Sequence, residues 1–232
     1  MKLSIIIPVF NEKNTILEIL KRVEEVDLKN IEKEIIIVDD GSIDGTKDIL
    51  KKLEARYKIF YHKKNQGKGA AVRQGFNLAR GDILLIQDAD LEYNPQNYFN
   101  LITPILSGAA EVVYGSRFKE SNFRHFSLLY NIGNKSLTFI SNLLTGFNLT
   151  DMETGFKVFK KEVIQKILPY LTSERFGIEP ELTAQISKKK YRIQEVKLLY
   201  PGQIRTHKQG KKINWKDGVA AIWYIIKFNL FS

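Results

Sequence analysis

Asp82-Ile83-Leu84-Leu85-Ile86-Gln87-Asp88-Ala89-Asp90-Leu91-Glu92 runs through four apolar residues and then presents two carboxylates one residue apart. An apolar run without alternation reads as a strand buried on both faces, the mark of a central strand in a parallel sheet. Ligands of open α/β sheets collect at the carboxyl ends of such strands. Asp88 and Asp90, two positions apart in extended chain, point to the same side, where their charges repel unless a cation lies between them. Mg2+ or Mn2+, hard and oxygen-seeking, suits that place and also grips phosphates. Glu92 offers a third oxygen. A loop with two solvated carboxylates is the competing reading of so short a pattern.

The flanking chain repeats the same grammar. Leu3 to Val9 is an apolar, largely β-branched run, and Thr15 to Val26 follows with helical spacing through Ile16, Ile19, Leu20 and Val23. Glu34 to Val38 is a second buried strand, Asp39-Asp40-Gly41-Ser42 turns, and Asp44 is placed to cap a helix through Tyr57. Ile59 to His62 is a third strand, and the glycine-rich Asn65-Gln66-Gly67-Lys68-Gly69 leads into a helix from Ala70 to Ala79. Beyond Glu92, strands are expected at Glu111 to Gly115, Gly155 to Phe159 and Arg192 to Tyr200. Helices are expected at Phe126 to Leu144 and Glu181 to Lys189. Alternating strands and helices of this length call for right-handed crossovers, hence an α/β, Rossmann-like, mainly parallel sheet with helices on both faces.

Composition narrows the function classes. The 232 residues are enough for one full core, and the absence of cysteine excludes disulfides and thiolate metal sites, in keeping with a cytoplasmic setting. His62, His125 and His207 are scattered without zinc spacing, which leaves oxygen ligands for any metal. Thirty-six Lys and Arg against 26 Asp and Glu give a net charge of +10, pointing to an anionic partner: nucleotide, nucleic acid or an acidic membrane surface. No secretory leader is expected from the first residues, and no window has the uninterrupted apolar length of a spanning helix.

Residues 1–213 are read as the catalytic domain and 214–232 as a C-terminal helix. Its sequence from Trp215 to Phe231, WKDGVAAIWYIIKFNLF, suits an interfacial helix that immerses Trp223, Ile226 and Phe228 and sets its lysines on anionic lipid. A helix simply packed on its own domain fits the same pattern, since apolar residues fill most of its faces.

Five motifs in order carry a resemblance: Ile7-Pro8-Val9-Phe10-Asn11-Glu12, Val38-Asp39-Asp40-Gly41-Ser42, Asn65-Gln66-Gly67-Lys68-Gly69, Asp88-Ala89-Asp90 and Gly115-Ser116-Arg117. Together they resemble the family-2 glycosyltransferases of GT-A fold, in the branch of dolichyl-phosphate mannose and glucose synthases. The resemblance implies an inverting transfer from a nucleotide sugar, UDP-glucose or UDP-N-acetylglucosamine before GDP-mannose, to a polyprenyl or dolichyl monophosphate. It also implies a peripheral place on the cytoplasmic face of a membrane. Pro8, Phe10, Glu12 and Val38 would line the nucleoside, and Asp40 would accept a base N–H. Asp88, Ala89 and Asp90 would hold the diphosphate, with Asp90 on the metal.

Lys68 reads either as a phosphate ligand at a helix start or as a solvated lysine. Arg117 reads as a bidentate phosphate ligand with a structural ion pair as its rival. Arg205, Lys211 and Lys212 are candidates for the acceptor phosphate on charge alone. An acceptor that is already an anion needs no strong base, consistent with no histidine standing near the motifs; Asp151 is the carboxylate to test if one were needed. Two alternatives remain: a family-2 enzyme acting on a soluble glycan or polysaccharide, and a basic nucleic-acid-binding module, which would leave Asp88 and Asp90 unexplained.

Overall fold

The computed structural model describes residues 1–119, 128–199 and 215–231. In chain order the elements are β1 (Lys2–Val9), α1 (Ile16–Glu25), β2 (Glu32–Asp39), α2 (Thr46–Lys51), β3 (Lys58–Tyr61), α3 (Lys68–Leu78), β4 (Ile83–Ile86) and α4 (Tyr98–Leu106). There follow β5 (Val112–Ser116), α5 (Leu128–Thr145), β6 (Lys157–Lys160), α6 (Lys161–Ile167), α7 (Ile178–Lys188), β7 (Ile193–Lys197) and α8 (Trp215–Leu230).

The seven strands form one sheet in the order β3-β2-β1-β4-β6-β5-β7. It is parallel except for β6, which runs antiparallel between β4 and β5. The expected α/β sheet is therefore present, with one reversed strand at its centre. Leu85 pairs with Ile5 of β1 and with Val158 of β6, so the strand that decides the fold is central. All four of its residues are buried. One core layer joins α1 and α4 to one face of the sheet through Ile19, Val23, Leu101 and Ile102. The other places Val72, Phe76, Ile164 and Leu182 of α3, α6 and α7 on the opposite face.

The departures from expectation are local. The helix after Asp44 ends at Lys51, far short of Tyr57; the Asp44 carboxylate accepts from the Thr46 amide at 3.0 Å, and the chain leaves in turns. Helices α4 and α6 were not anticipated. A single turn at Pro95–Asn97 precedes α4, which carries Pro104 in its interior, and both prolines obscure the helical pattern.

Helix α5 packs Leu137, Ile140 and Leu144 against the core and buries a polar row beside them. Asn134, Thr138 and Ser141, spaced on one face, are buried, while Ile132, Phe139 and Leu143 are exposed. Helix α8 has two apolar faces. Ala221, Ile225 and Phe228 are buried in its packing with α5 and α7, and Val219, Trp223 and Leu230 are exposed. Of the residues expected to be immersed in lipid, Phe228 thus faces the protein and Trp223 faces outward. Through Ile225, α8 joins the core cluster that also holds residues of α3, α6 and α7.

Candidate functional site

The site is assembled where β1, β2 and β4 end. Beyond Ile86, the Gln87 side chain amide donates to the Asp88 carbonyl at 2.9 Å and to the Tyr93 carbonyl at 3.1 Å, and its oxygen accepts from the Tyr98 hydroxyl at 2.8 Å. This buried clamp folds residues 88–93 into a tight turn. Leu91 there adopts φ +65°, a left-handed conformation uncommon for a branched residue, held because its side chain packs into the core.

Asp88 and Asp90 sit in that turn with contrasting surroundings. The Asp88 carboxylate meets the Lys68 ammonium at 2.8 Å, and the same ammonium meets Glu179 of α7 at 2.8 Å. Burial alone would depress the Lys68 ammonium; Asp88 and Glu179 overturn that and hold it well above its usual value. Lys68 is therefore no solvated lysine: it is shared between two carboxylates beside the turn. Burial, followed by the negative charges of Asp88, Glu92 and Glu12, pushes the Asp90 carboxyl up to about 7. The Glu92 amide donates to Asp90 at 3.1 Å. Among the described residues no three His, Asp or Glu side chains gather to hold a metal, so the expected trio of Asp88, Asp90 and Glu92 is not preformed.

The glycine-rich loop is held from below by Asp40. Its carboxylate accepts from the Gln66 and Gly67 amides at 2.9 and 2.7 Å and from the Asn65 side chain at 2.8 Å, and it lies 2.7 Å from His62 Nδ1. Both oxygens are occupied, so in this state Asp40 shapes the loop and does not wait for a base N–H. His62 also corrects the expectation that no histidine stands near the motifs. Neighbouring Asp39 is buried, one of its oxygens has no partner, and burial raises its carboxyl. Gly67, at φ +101°, and Gly69 lie so close to the 173–175 backbone that a side chain at either position would collide with it.

Of the other expected nucleoside residues, Pro8 and Phe10 are half-buried at the end of β1. Glu12 is buried, accepts from Thr15 at 2.8 Å and opens α1. Val38 is wholly buried against Ile36 and Ala71 and has no surface to offer a nucleoside; that expectation is corrected. Ala89 is buried, which leaves its backbone as its contribution.

Arg117 follows β5 and is buried. Its Nε lies 2.6 Å and its Nη2 2.7 Å from the two oxygens of Asp151, and its amide also donates to Asp151. Asn134 adds a donor at 3.2 Å. The rival role of Arg117, a structural ion pair, is the one observed, and Asp151 is accordingly no free base. Arg205, Lys211 and Lys212 lie outside the described residues.

Sequence reasoning missed Glu179, Glu153 and Lys157. Lys157 is buried, donates to the Met152 and Thr154 carbonyls and lies over the Tyr114 ring. Burial lowers its ammonium to about 8 against the pull of Glu179 and Glu153. Burial, with Glu179 next, pushes the Glu153 carboxyl up to about 8. Gly155 allows this charged layer to approach, since a Cβ there would strike Asp88 and the Tyr93 ring. The only prior signal was the Asp151-Met152-Glu153-Thr154-Gly155 stretch; Glu179 sits in a helix with nothing in its spacing to mark it.

Residues 4–168 match the model of glycosyl transferase family 2. The chain belongs to that family. It is a glycosyltransferase. Among curated relatives, a UDP-N-acetylglucosamine–dolichyl-phosphate N-acetylglucosaminyltransferase of Methanococcus voltae is 32% identical over 83% of this chain and 82% of its own. A dolichol-phosphate mannosyltransferase of Pyrococcus furiosus is 30% identical over 72% of this chain, which spans 48% of that protein. Glucosyl-3-phosphoglycerate synthase from Mycobacterium tuberculosis, solved with Mn2+, uridine diphosphate and phosphoglyceric acid, shares the fold. Its TM-score is 0.73 over 98% of this chain and 76% of its own, at 17% identity. The same protein was also solved with Mg2+ and uridine diphosphate. The GT-A architecture expected from sequence is thus shown, and divalent cations accompany this fold in its solved neighbours.

Proposed function

We propose that this glycosyltransferase moves a hexose or N-acetylhexosamine from a nucleotide sugar to a polyprenyl or dolichyl monophosphate, with inversion, at the cytoplasmic surface of a membrane. The observation that carries the donor side is Asp90: a half-buried carboxyl beside Asp88, Glu92 and Glu12, next to a lysine, Lys68, that is already shared between Asp88 and Glu179. Such an excess of negative charge fits a divalent cation, with Asp90 and the outer side of Asp88 as protein ligands and diphosphate oxygens completing the set. When bound, Mg2+ or Mn2+ would supply Lewis-acid stabilisation of the charge that grows on the leaving nucleoside diphosphate.

The chain's own residues bind and orient. Pro8, Phe10 and Glu12 border the nucleoside slot, the loop held by Asp40 closes it, and the Ala89 backbone lies beside the diphosphate. Arg117 positions the Asp151 turn from within the fold. The acceptor phosphate, already anionic, requires no protein base and is assigned on charge to Arg205, Lys211 and Lys212. The outward apolar faces of α5 and α8, Ile132, Phe139 and Leu143 with Val219, Trp223 and Leu230, support a membrane-borne acceptor, and Lys227 supports anionic lipid. No helix among the described residues is long and apolar enough to cross a membrane. UDP-N-acetylglucosamine and UDP-glucose are the preferred donors, the former supported by the Methanococcus relative's name.

The test is a panel of UDP-N-acetylglucosamine, UDP-glucose and GDP-mannose against dolichyl and undecaprenyl phosphate, read by mass spectrometry. A sugar–phosphate–lipid product is expected. Transfer to a soluble glycan, with none to either lipid, would overturn the acceptor.

A further inference from the structure

We propose that the groove between α3 and residues 165–171 is a second ligand site, for a small hydroxyl-bearing sugar anion, separate from the Asp88–Asp90 turn. The groove encloses about 580 Å³, the size of a small-molecule pocket. Gln66 precedes α3, and Ala70, Arg73, Gln74 and Asn77 follow at three- and four-residue spacing, so one face of the helix makes a wall while Val72 and Phe76 turn to the core. The opposite wall is Gln165, Leu168 and Leu171. No carboxylate is among the described residues that line the groove, and neither Asp88 nor Asp90 borders it.

Arg73 sets the charge of the ligand. Its Nη1 donates to the Leu171 carbonyl at 2.8 Å, and its Nε is buried without a hydrogen-bond partner. An unpaired buried donor costs free energy and calls for an explanation. Nε and Nη2 form the edge of a guanidinium that takes an anion side-on, as Arg117 takes Asp151 in this structure. Arg73 as a whole is only half-buried, so its head can turn that edge to a phosphate or carboxylate in the groove. The amides of Gln66, Gln74, Asn77 and Gln165 both donate and accept, which matches sugar hydroxyls. His62 lies 2.7 Å from Asp40 through Nδ1, leaving Nε2 as the ring nitrogen for the same ligand.

Calorimetry on the full chain tests this with glucose-6-phosphate and glucuronate as probes and glucose as the uncharged control, each with and without saturating UDP and Mn2+. At least one anion should bind with UDP present, and its identity names the acidic group. Glucose should bind at least about tenfold more weakly, the scale of one hydrogen bond to a charged group. Arg73→Gln removes the charge, and Gln74→Glu, an isosteric change on the wall, sets a carboxylate against the anion. Each should weaken the anion at least about tenfold, and Gln74→Glu should keep the wild-type melting midpoint, which separates lost binding from lost folding. Failure of both anions to bind, displacement of the anion by UDP, equal binding of glucose, or undiminished binding by either variant would overturn the inference. The donor reading stands or falls separately, on UDP binding at the Asp88–Asp90 turn.

Discussion

Arg117 and Asp151 form a buried bidentate ion pair, with Nε 2.6 Å from one carboxylate oxygen and Nη2 2.7 Å from the other. The same carboxylate receives the Arg117 amide and Asn134, and the Asp151 amide donates to Glu195 at 2.9 Å. The pair thereby ties β5, α5 and β7 together behind the site. A guanidinium and a carboxylate so committed to each other position the chain behind the site.

Asp151→Ala should therefore act on stability first. Leaving the guanidinium buried and unpaired should cost about 3–5 kcal/mol, read as a lower midpoint in urea denaturation. A loss below about 1 kcal/mol, with activity abolished, would return Asp151 to the chemistry.

Lys68→Met should lower stability by about 2–3 kcal/mol and weaken nucleotide-sugar binding, because Asp88 and Glu179 lose their shared cation. The figure is kept below that for a fully buried pair because the Lys68 and Asp88 side chains retain 19% and 18% exposure. An unchanged melting midpoint would show that the three groups do not depend on one another.

The fold was legible because hydrophobic runs speak for themselves: β4, most of β1 and the second half of β2 are buried. Helix α4 was not, since Pro95 and Pro104 imitate a loop. Reversal of β6 was not legible either, because a buried strand looks alike in both directions. At the site, position after β4 pointed correctly to the Asp88–Asp90 turn. The partners of Lys68, Asp40 and Arg117 stayed hidden because each lies far away in sequence: Glu179 at the start of α7, Gln66 and Gly67 beyond β3, Asp151 beyond α5. An isolated cation or carboxylate in a sequence cannot declare which distant charge it will meet.

The pH dependence of stability has a definite sign. Glu153 is raised from 4.5 to about 8, so the folded protein holds this proton more tightly than the unfolded chain, and stability falls as pH rises from about 4.5 to 8. Lys157 is lowered from 10.5 to about 8, so the folded protein binds fewer protons there, and stability rises again from about 8 to 10.5. Glu153→Gln should flatten the fall between pH 5 and 8 in denaturation curves. A variant whose profile stays parallel to wild type would show that Glu153 does not titrate there.

The two faces of α8 should separate in experiment. Ile225→Ala removes wholly buried packing and should destabilise by about 2–5 kcal/mol. Trp223→Ala, 58% exposed, should change stability by no more than about 0.5 kcal/mol while reducing binding to anionic vesicles in a flotation assay. Equal vesicle binding by wild type and Trp223→Ala would remove α8 from the membrane contact.

In the proposed function, the Asp88–Asp90 turn binds the diphosphate of a nucleotide sugar through a divalent cation so that the sugar passes to a lipid phosphate. The direct measurement is mass-spectrometric detection of glycosylated undecaprenyl phosphate, formed from UDP-N-acetylglucosamine or UDP-glucose with Mn2+, comparing wild type with Asp90→Asn. Product from wild type, its loss on chelation, and a rate at least about a hundredfold lower for a folded Asp90→Asn variant are the expected results. Undiminished transfer by Asp90→Asn in the presence of chelator would contradict the account.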